Sequence, residues 1–343
     1  MGFFYFGIIT GVMKKTSLTN VERRLYGALA VGVALVLIVI GLLLHVQSLS
    51  SRVATLESQT ASASTQLKSY ERSLCSNSSS GVEIEPLSKY SIDSAGYTRT
   101  YQVHTPANYD PSVRYPVIVS FDGIEGSGTR MEGYSGLDEL PAVVIYPDSL
   151  PGKLGFTAWE GAPYSVDGDR DMQFVSDMLK TVPSKYCVDS MRIYAVGMSN
   201  GGAFATTVGC KLGDQIKAVA SVSGAYYKNC RSEERTPSLL VVHSIDDRQA
   251  PFKGVTARRL PPVPQYVEQQ VSERHCKVPV QTEASLSATY YNWLDCDDNS
   301  SVQFVILRAQ AHGWLTLPQV AIQRADSSAG YIWSFFEQAT FRN

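Results

Sequence analysis

The short apolar run Met191 to Val196 (MRIYAV) leads straight into Gly197-Met-Ser-Asn-Gly201, and a helical stretch, Ala203 to Leu212, follows. Alone, a Gly-x-Ser-x-Gly pentapeptide says little. Between a buried strand and a helix it describes a turn so tight that a side chain two residues either way from Ser199 would collide with the flanking elements. Strand-to-helix handover of this kind belongs to βα units, and these build mostly parallel sheets with helices on both faces.

The rest of the chain from about residue 75 keeps that rhythm. Thr98 to Thr105 alternates like an exposed or edge strand, while Pro116 to Phe121 and Ala142 to Tyr146 are continuous apolar runs, as in strands covered on both faces. Ile216 to Val222, Ser238 to His243 and Val302 to Leu307 read the same way. Helices are expected near Tyr134 to Leu140, over Asp171 to Val182, from about Gln265 to Arg274 and from about Ser327 to Gln338. In the second of these, Met172, Phe174, Val175, Met178, Leu179 and Val182 fall at helical spacing and read as core. No repeat of solenoid length is present.

A serine hydroxyl attacks carbonyl carbon only when a base takes its proton and a third group holds that base. With the serine on an elbow of this kind, the chain order is serine, acid, histidine. The chain has five histidines. His45 and His104 precede the elbow, His243 ends an apolar strand and reads as a satisfied core histidine, and His275 beside Cys276 reads as surface. His312, in the Ala309-Gln-Ala-His-Gly-Trp314 loop after the last strand, is the expected base. The acid should follow Ser238 to His243, where Asp246 and Asp247 both qualify; one holds His312 while the other faces solvent or pairs with Arg248.

Acyl transfer also needs backbone donors for the oxyanion, one just after the nucleophile and one on a loop after an early strand. Asn200 is the first. The second lies in Phe121-Asp-Gly-Ile-Glu-Gly-Ser-Gly128, with Ile124 preferred to Gly123. That glycine-rich loop lacks the Gly-Lys-Ser/Thr ending of a nucleotide cradle, so nucleotide binding is discounted.

Tyr186-Cys-Val-Asp-Ser-Met-Arg-Ile-Tyr-Ala-Val-Gly-Met-Ser-Asn-Gly-Gly202, with Val219-Ala-Ser-Val-Ser-Gly-Ala225 downstream, resembles the secreted feruloyl esterase and polyhydroxybutyrate depolymerase-like esterase family of the α/β-hydrolase superfamily. The likeness runs from about Tyr101 to the C-terminus and includes the Trp159 loop, Asp171-Met-Gln-Phe and His312-Gly-Trp314. In that family the acid is the fifth residue of a His-Gly-x-x-Asp stretch. His243-Ser-Ile-Asp-Asp247 matches it, so the resemblance selects Asp247. It also implies disulfides among the cysteines, and as substrate an aromatic-acid ester of plant type, an acetyl ester of a polysaccharide, or a hydroxyalkanoate polymer. Trp159 and Trp314 are candidate substrate-binding residues, as a platform for a sugar or phenolic ring, with packing of the active-site loop as the other reading. Two departures stand out: the oxyanion loop begins Asp122-Gly123 where the family usually has His-Gly, and members are usually secreted without a retained anchor.

That anchor is Tyr26 to Leu44, a run without charge and close to the roughly 20 residues that cross a bilayer. Lys14, Lys15, Arg23 and Arg24 precede it, so residues 1–25 are expected in the cytoplasm, 26–46 as a signal-anchor helix, 47–74 as a stalk or linker, and 75–343 as the catalytic domain outside the cell or in a lumen. The run exceeds a cleaved signal's apolar core. The shorter apolar stretch Phe3 to Val12 has no assigned role. Val46, Leu49, Val53, Leu56, Thr60, Ala63, Leu67, Tyr70 and Leu74 form a seam that would support self-association, with a solvated spacer as the alternative.

All six cysteines, Cys75, Cys187, Cys210, Cys230, Cys276 and Cys296, follow the apolar run, which fits an oxidising compartment. A Cys187–Cys210 bridge is expected, because both should lie at the sheet end opposite the nucleophile. Asn77 and Asn299 open glycosylation sequons. A net charge of −2 without a block of like charges gives no electrostatic case for nucleic acid. The triad needs no metal or organic cofactor. The rival readings are a serine peptidase using the same three residues and a cell-surface binding module that has kept a hydrolase fold without turnover.

Overall fold

The structure, a computed structural model, describes residues 20–75, 85–229, 236–277, 279–284, 286–317 and 327–341. Phe3 to Val12, Lys14, Lys15, the Asn77 sequon and Cys230 lie outside these residues. The chain divides into two compact units, Met1–Ser69 and Tyr70–Asn343.

In the first unit, the anchor and stalk expected from sequence are one uninterrupted helix, α1 (Asn20–Cys75), whose last turn belongs to the second unit. No glycine or proline interrupts residues 47–74, and Ser50, Ser51, Thr55 and Thr60 turn their hydroxyls back onto carbonyls of the preceding turn. Among the described residues one helix, Val31–Ser62 within α1, is long and apolar enough to cross a membrane. Its side chains are exposed.

The second unit is a ten-stranded sheet. Its strands are β1 (Leu87–Ser94), β2 (Tyr97–His104), β3 (Tyr115–Phe121), β4 (Val143–Pro147), β5 (Val188–Met198), β6 (Ile216–Val222), β7 (Ser238–Ser244), β8 (Val280–Ala284), β9 (Ala288–Trp293) and β10 (Val302–Leu307). They lie in the order β1-β2-β4-β3-β5-β6-β7-β10-β9-β8. Pairing is parallel from β4 through β10 and antiparallel at both flanks.

Period-two alternation sorts the strand side chains between two cores. Val117, Val119, Ala195 and Val241 point to one face, against Phe174 and Met178 of α3 (Arg170–Thr181), Phe204 and Val208 of α4 (Asn200–Lys211) and Val267 of α5 (Val263–Glu273). Ile118, Tyr194, Val196 and Val242 point to the other, against Met131 of α2 (Gly128–Ser135) and Ile332 and Phe336 of α6 (Ser328–Phe341). Each central strand is therefore buried on both sides, which is why it reads as a continuous apolar run.

Three expectations need correction. First, β2 is not an edge, because β1 pairs with it along its whole length. Second, β10 ends the strands in sequence but not in space, since the β8–β9 hairpin extends the sheet beyond it. Third, Cys187 bonds to Cys75 rather than to Cys210. Cys187 lies on the β3 side of the sheet, its carbonyl accepting the Tyr115 amide and its amide donating to the Tyr109 hydroxyl. Beside Cys210, by contrast, Gly209 packs on Val219 of β6 and on Pro237. Cys210 is itself disulfide-bonded, and Cys276 bonds to Cys296.

Candidate active site

β5 delivers Ser199 and α4 begins at the next residue, so the turn between them is made by one residue at φ 57° and ψ −120°. A non-glycine residue in that region costs on the order of 1–3 kcal/mol and persists only where its surroundings enforce it. Here the Ser199 amide donates to Val222 O at 2.9 Å, and its carbonyl accepts from the amides of Ala203 and Ala225 at 3.1 and 3.2 Å. The flanking glycines are required by space. A Cβ on Gly197 would lie 2.2 Å from Gly201 O, and one on Gly201 would lie 2.2 Å from Phe121 O.

The three residues expected to act together are brought together. His312 Nδ1 stands 2.7 Å from Asp247 Oδ2, and His312 Nε2 stands 2.8 Å from Ser199 Oγ. An ionised carboxylate only accepts, so Nδ1 carries the proton and Nε2 accepts from the serine hydroxyl. The Asp247 carboxyl is buried, which by itself would raise its pKa, yet it is held below the ordinary range by the bond and charge of His312 and by the Ala250 amide. Its Oδ1 accepts amides of Gln249 and Ala250 at 2.9 and 2.8 Å, fixing the carboxylate in place.

Asp246 is exposed, as expected of the second carboxylate, and it also has a backbone partner. It accepts the Ala309 amide at 2.7 Å. Ser244 Oγ donates to Gln310 O at 2.7 Å, Ser223 Oγ donates to Gly313 O at 2.9 Å, and the Gln310 side chain clasps the backbone of Thr316 at 2.7 and 2.8 Å. The loop that carries His312 is thus pinned on both sides of the imidazole.

His243 is a buried strand-end histidine, as its place suggests, but only one of its ring nitrogens has a partner among the described residues. Its Nε2–H donates to Ala250 O at 2.8 Å, and burial pulls its pKa below the usual value, so it stays neutral. It also lies 3.4 Å from Asp247 Oδ2.

Of the two expected oxyanion donors, the Asn200 amide sits in the first turn of α4, where no carbonyl within the helix reaches it. Gly123 donates its amide to Asp122 Oδ1 at 2.7 Å. Ile124, with Gly123, lines the cavity beside Ser199.

The cavity has a volume of about 560 Å³ and is walled by Gly123, Ile124, Arg130, Tyr134, Met198, Gln249, Gly313 and Trp314, with Ser199 and His312 between them. Trp314 lies against Tyr134, ring centroids 6.2 Å apart. Trp159 is not in the wall, which corrects its reading as a substrate platform. It is 1% exposed, stacks on Phe204 at 5.0 Å and donates Nε1–H to Asp122 O at 3.0 Å. The Asn200 side chain grips its backbone from both sides, accepting the Trp159 amide at 2.7 Å and donating to its carbonyl at 3.2 Å. Trp159 thus packs the two candidate oxyanion elements together.

Arg130, Tyr134 and Gln249 were not singled out from sequence. Arg130 and Tyr134 stand four apart on α2, and that spacing after the Asp122 loop was the available signal. Among the described residues no group of three or more His, Cys, Asp or Glu is placed to hold a metal ion.

Residues 92–250 match the family model described as "Putative esterase", a segment that includes Ser199 and Asp247 and ends before His312. The chain is similar to feruloyl esterase B of Piromyces equi, 34% identical over 122 residues, covering 34% of this chain and 22% of that protein. It is similar to the bifunctional acetylxylan esterase/xylanase of Neocallimastix patriciarum, 23% identical over 257 residues, covering 71% of this chain and 34% of the other. It therefore spans between about a fifth and a third of those two relatives. Among solved structures, the acetyl xylan esterase from Aspergillus awamori superposes with a TM-score of 0.54 at 16% identity, over 74% of this chain and 99% of that one. A likeness at that identity speaks for the fold.

Proposed function

We propose that this chain, which matches the esterase family model over residues 92–250 and shares its fold with an acetyl xylan esterase, hydrolyses carboxylic esters through Ser199, His312 and Asp247. The observation that carries the reading is the continuous relay from Asp247 Oδ2 through the imidazole to Ser199 Oγ, at 2.7 and 2.8 Å, on the wall of an open cavity.

Ser199 Oγ attacks the ester carbonyl carbon as its proton passes to His312 Nε2. The carbonyl oxygen becomes an oxyanion, received by the amides of Asn200 and Ile124. Asp247 holds the imidazolium and does not take its proton. The intermediate collapses, the C–O bond to the alcohol breaks, and the alcohol leaves with the proton from His312. Water then attacks the acyl-serine with His312 as base, releasing the acid and restoring the serine.

Feruloyl or acetyl esters of polysaccharide are the substrates best supported, since the relatives are a feruloyl esterase and an acetylxylan esterase/xylanase, and Trp314 with Tyr134 offers a ring-sized aromatic wall. Esters of hydroxyalkanoates are the next class to test. Residues 1–25 lie in the cytoplasm, 26–46 span the membrane, 47–74 form the stalk, and 75–343 work outside or in a lumen. Arg23 and Arg24 before the apolar run and the disulfides after it support that orientation.

The full chain should cleave p-nitrophenyl acetate or methyl ferulate, and Ser199→Ala should lower turnover by about 10⁴-fold or more. Cleavage of peptides without cleavage of esters would instead identify a peptidase. Failure on both panels would leave a binding module.

A further inference from the structure

The loop that offers Ile124 opens with Asp122, a buried carboxylate at the end of β3. Five donors converge on it. Oδ1 accepts the Gly123 amide at 2.7 Å, the Tyr134 hydroxyl at 2.6 Å and Arg130 Nη2 at 3.1 Å. Oδ2 accepts Arg130 Nε at 2.6 Å and the Ser127 amide at 3.2 Å. The loop closes over this carboxylate so tightly that a Cβ on Gly126 would lie 2.4 Å from Asp122 Cγ. The Asp122 carbonyl, on the opposite side, is held by Trp159 Nε1 at 3.0 Å.

Three of those donors come from two residues of α2, Arg130 and Tyr134, which also wall the cavity, so one ionic knot ties the strand end, the loop and the helix. The cost of burying Asp122 is offset by a two-pronged guanidinium, the geometry that arginine supplies and lysine does not. The same carboxylate takes the Gly123 amide away from the cavity. Which amide faces an oxyanion is therefore decided by where Asp122 is held.

We propose that Asp122, Arg130 and Tyr134 are positioning residues that set the oxyanion loop, with Arg130 acting on catalysis through Asp122 and not through contact with substrate. The proposal rests on the serine-ester reading of the same site. Its readout is a loss confined to states that carry the oxyanion. Removing one oxyanion donor costs about 10²–10³-fold in turnover, so loosening the loop that presents it should cost about 10–10²-fold. A ground-state ester makes little use of that donor, so KM should stay within about threefold.

The test uses the full chain on a p-nitrophenyl ester, with Arg130→Gln, Arg130→Lys, Tyr134→Phe, Asp122→Asn and the double variant Asp122→Asn/Arg130→Gln. Melting temperatures are recorded for each, and Ser199→Ala serves as the control for the reading beneath. Arg130→Gln should lower kcat with little change in KM. It should weaken a boronic acid, whose tetrahedral adduct with Ser199 mimics the intermediate, by the same factor as kcat/KM. Arg130→Lys should recover part of the loss, Tyr134→Phe should lose a few-fold, and the double variant should be no slower than the slower single.

Unchanged kcat in Arg130→Gln and Tyr134→Phe, beside an inactive Ser199→Ala, overturns the proposal and leaves the esterase reading intact. A rise in KM alone overturns it too, since that would place Arg130 on the substrate. If Asp122→Asn does not fold, Tyr134→Phe and Arg130→Lys still decide, because each loosens the knot while leaving its carboxylate in place.

Discussion

Asp246 and Asp247 are neighbours in sequence and do different work: one accepts from the imidazole of His312, the other from the amide of Ala309. Asp247→Asn should lower kcat by about 10⁴-fold, because an amide at that place can favour the wrong imidazole tautomer. Asp246→Asn keeps an oxygen for the Ala309 amide and should stay within about tenfold of wild type; comparing initial rates on one ester distinguishes them. A second test at this scale concerns Glu160. Burial, and then the charge of Asp171, push its carboxyl up to about 7, against the amides of Asp171 and Met172. The folded pKa lies above the unfolded value near 4.5, so the fold favours the protonated form. That stabilisation is full below about pH 4.5 and is lost as pH rises through about 7. Glu160→Gln removes the titration. Its melting temperature should gain on wild type between pH 5 and pH 8, and a constant gap would sink the assignment. The sequence marked Asp122 as the start of the oxyanion loop and Asp171 as part of the family likeness, but the roles of Asp122, Glu160 and Asp171 come from burial by elements distant in sequence.

At the scale of elements, β2 and α3 are stitched by a buried ion pair. Arg99 Nη1 lies 2.9 Å from Asp171 Oδ1, the two side chains are 0% and 1% exposed, and the guanidinium lies 4.1 Å from the centre of the Phe174 ring. Asp171 and Glu160 also exchange amides and carboxylates, at 2.9 and 3.0 Å, across the start of α3. Arg99→Ala would strand a buried carboxylate and should destabilise the fold by about 3–5 kcal/mol, read from urea unfolding followed by fluorescence. A loss under about 1 kcal/mol would show that water or a second cation replaces it. The central strands could be read from sequence because burial on two faces leaves an unbroken apolar run. β1 could not, because Leu87–Ser94 (LSKYSIDS) covers the sheet edge with alternate residues in water. The β8–β9 hairpin was missed for a related reason: polar residues such as Gln281, Glu283, Thr289 and Asn292 break up both strands. The serine elbow and the His312 loop were legible from chain order, whereas the choice of Asp247 over Asp246 came from likeness.

For the whole molecule, the apolar helix predicts where activity will be found. In cells expressing the full chain, ester hydrolysis should stay with membranes after an alkaline carbonate wash and appear in solution only with detergent; activity in the wash would point to a cleaved leader instead. The bond between Cys75 and Cys187 bears on how such an enzyme is set free. The peptide chain from one cysteine to the other and the sulfur bridge together close a ring. A protease that nicks the backbone once between those two residues opens a ring and releases nothing. Parting the apolar helix from the sheet would take a cut before Cys75, or a reductant working together with the nick.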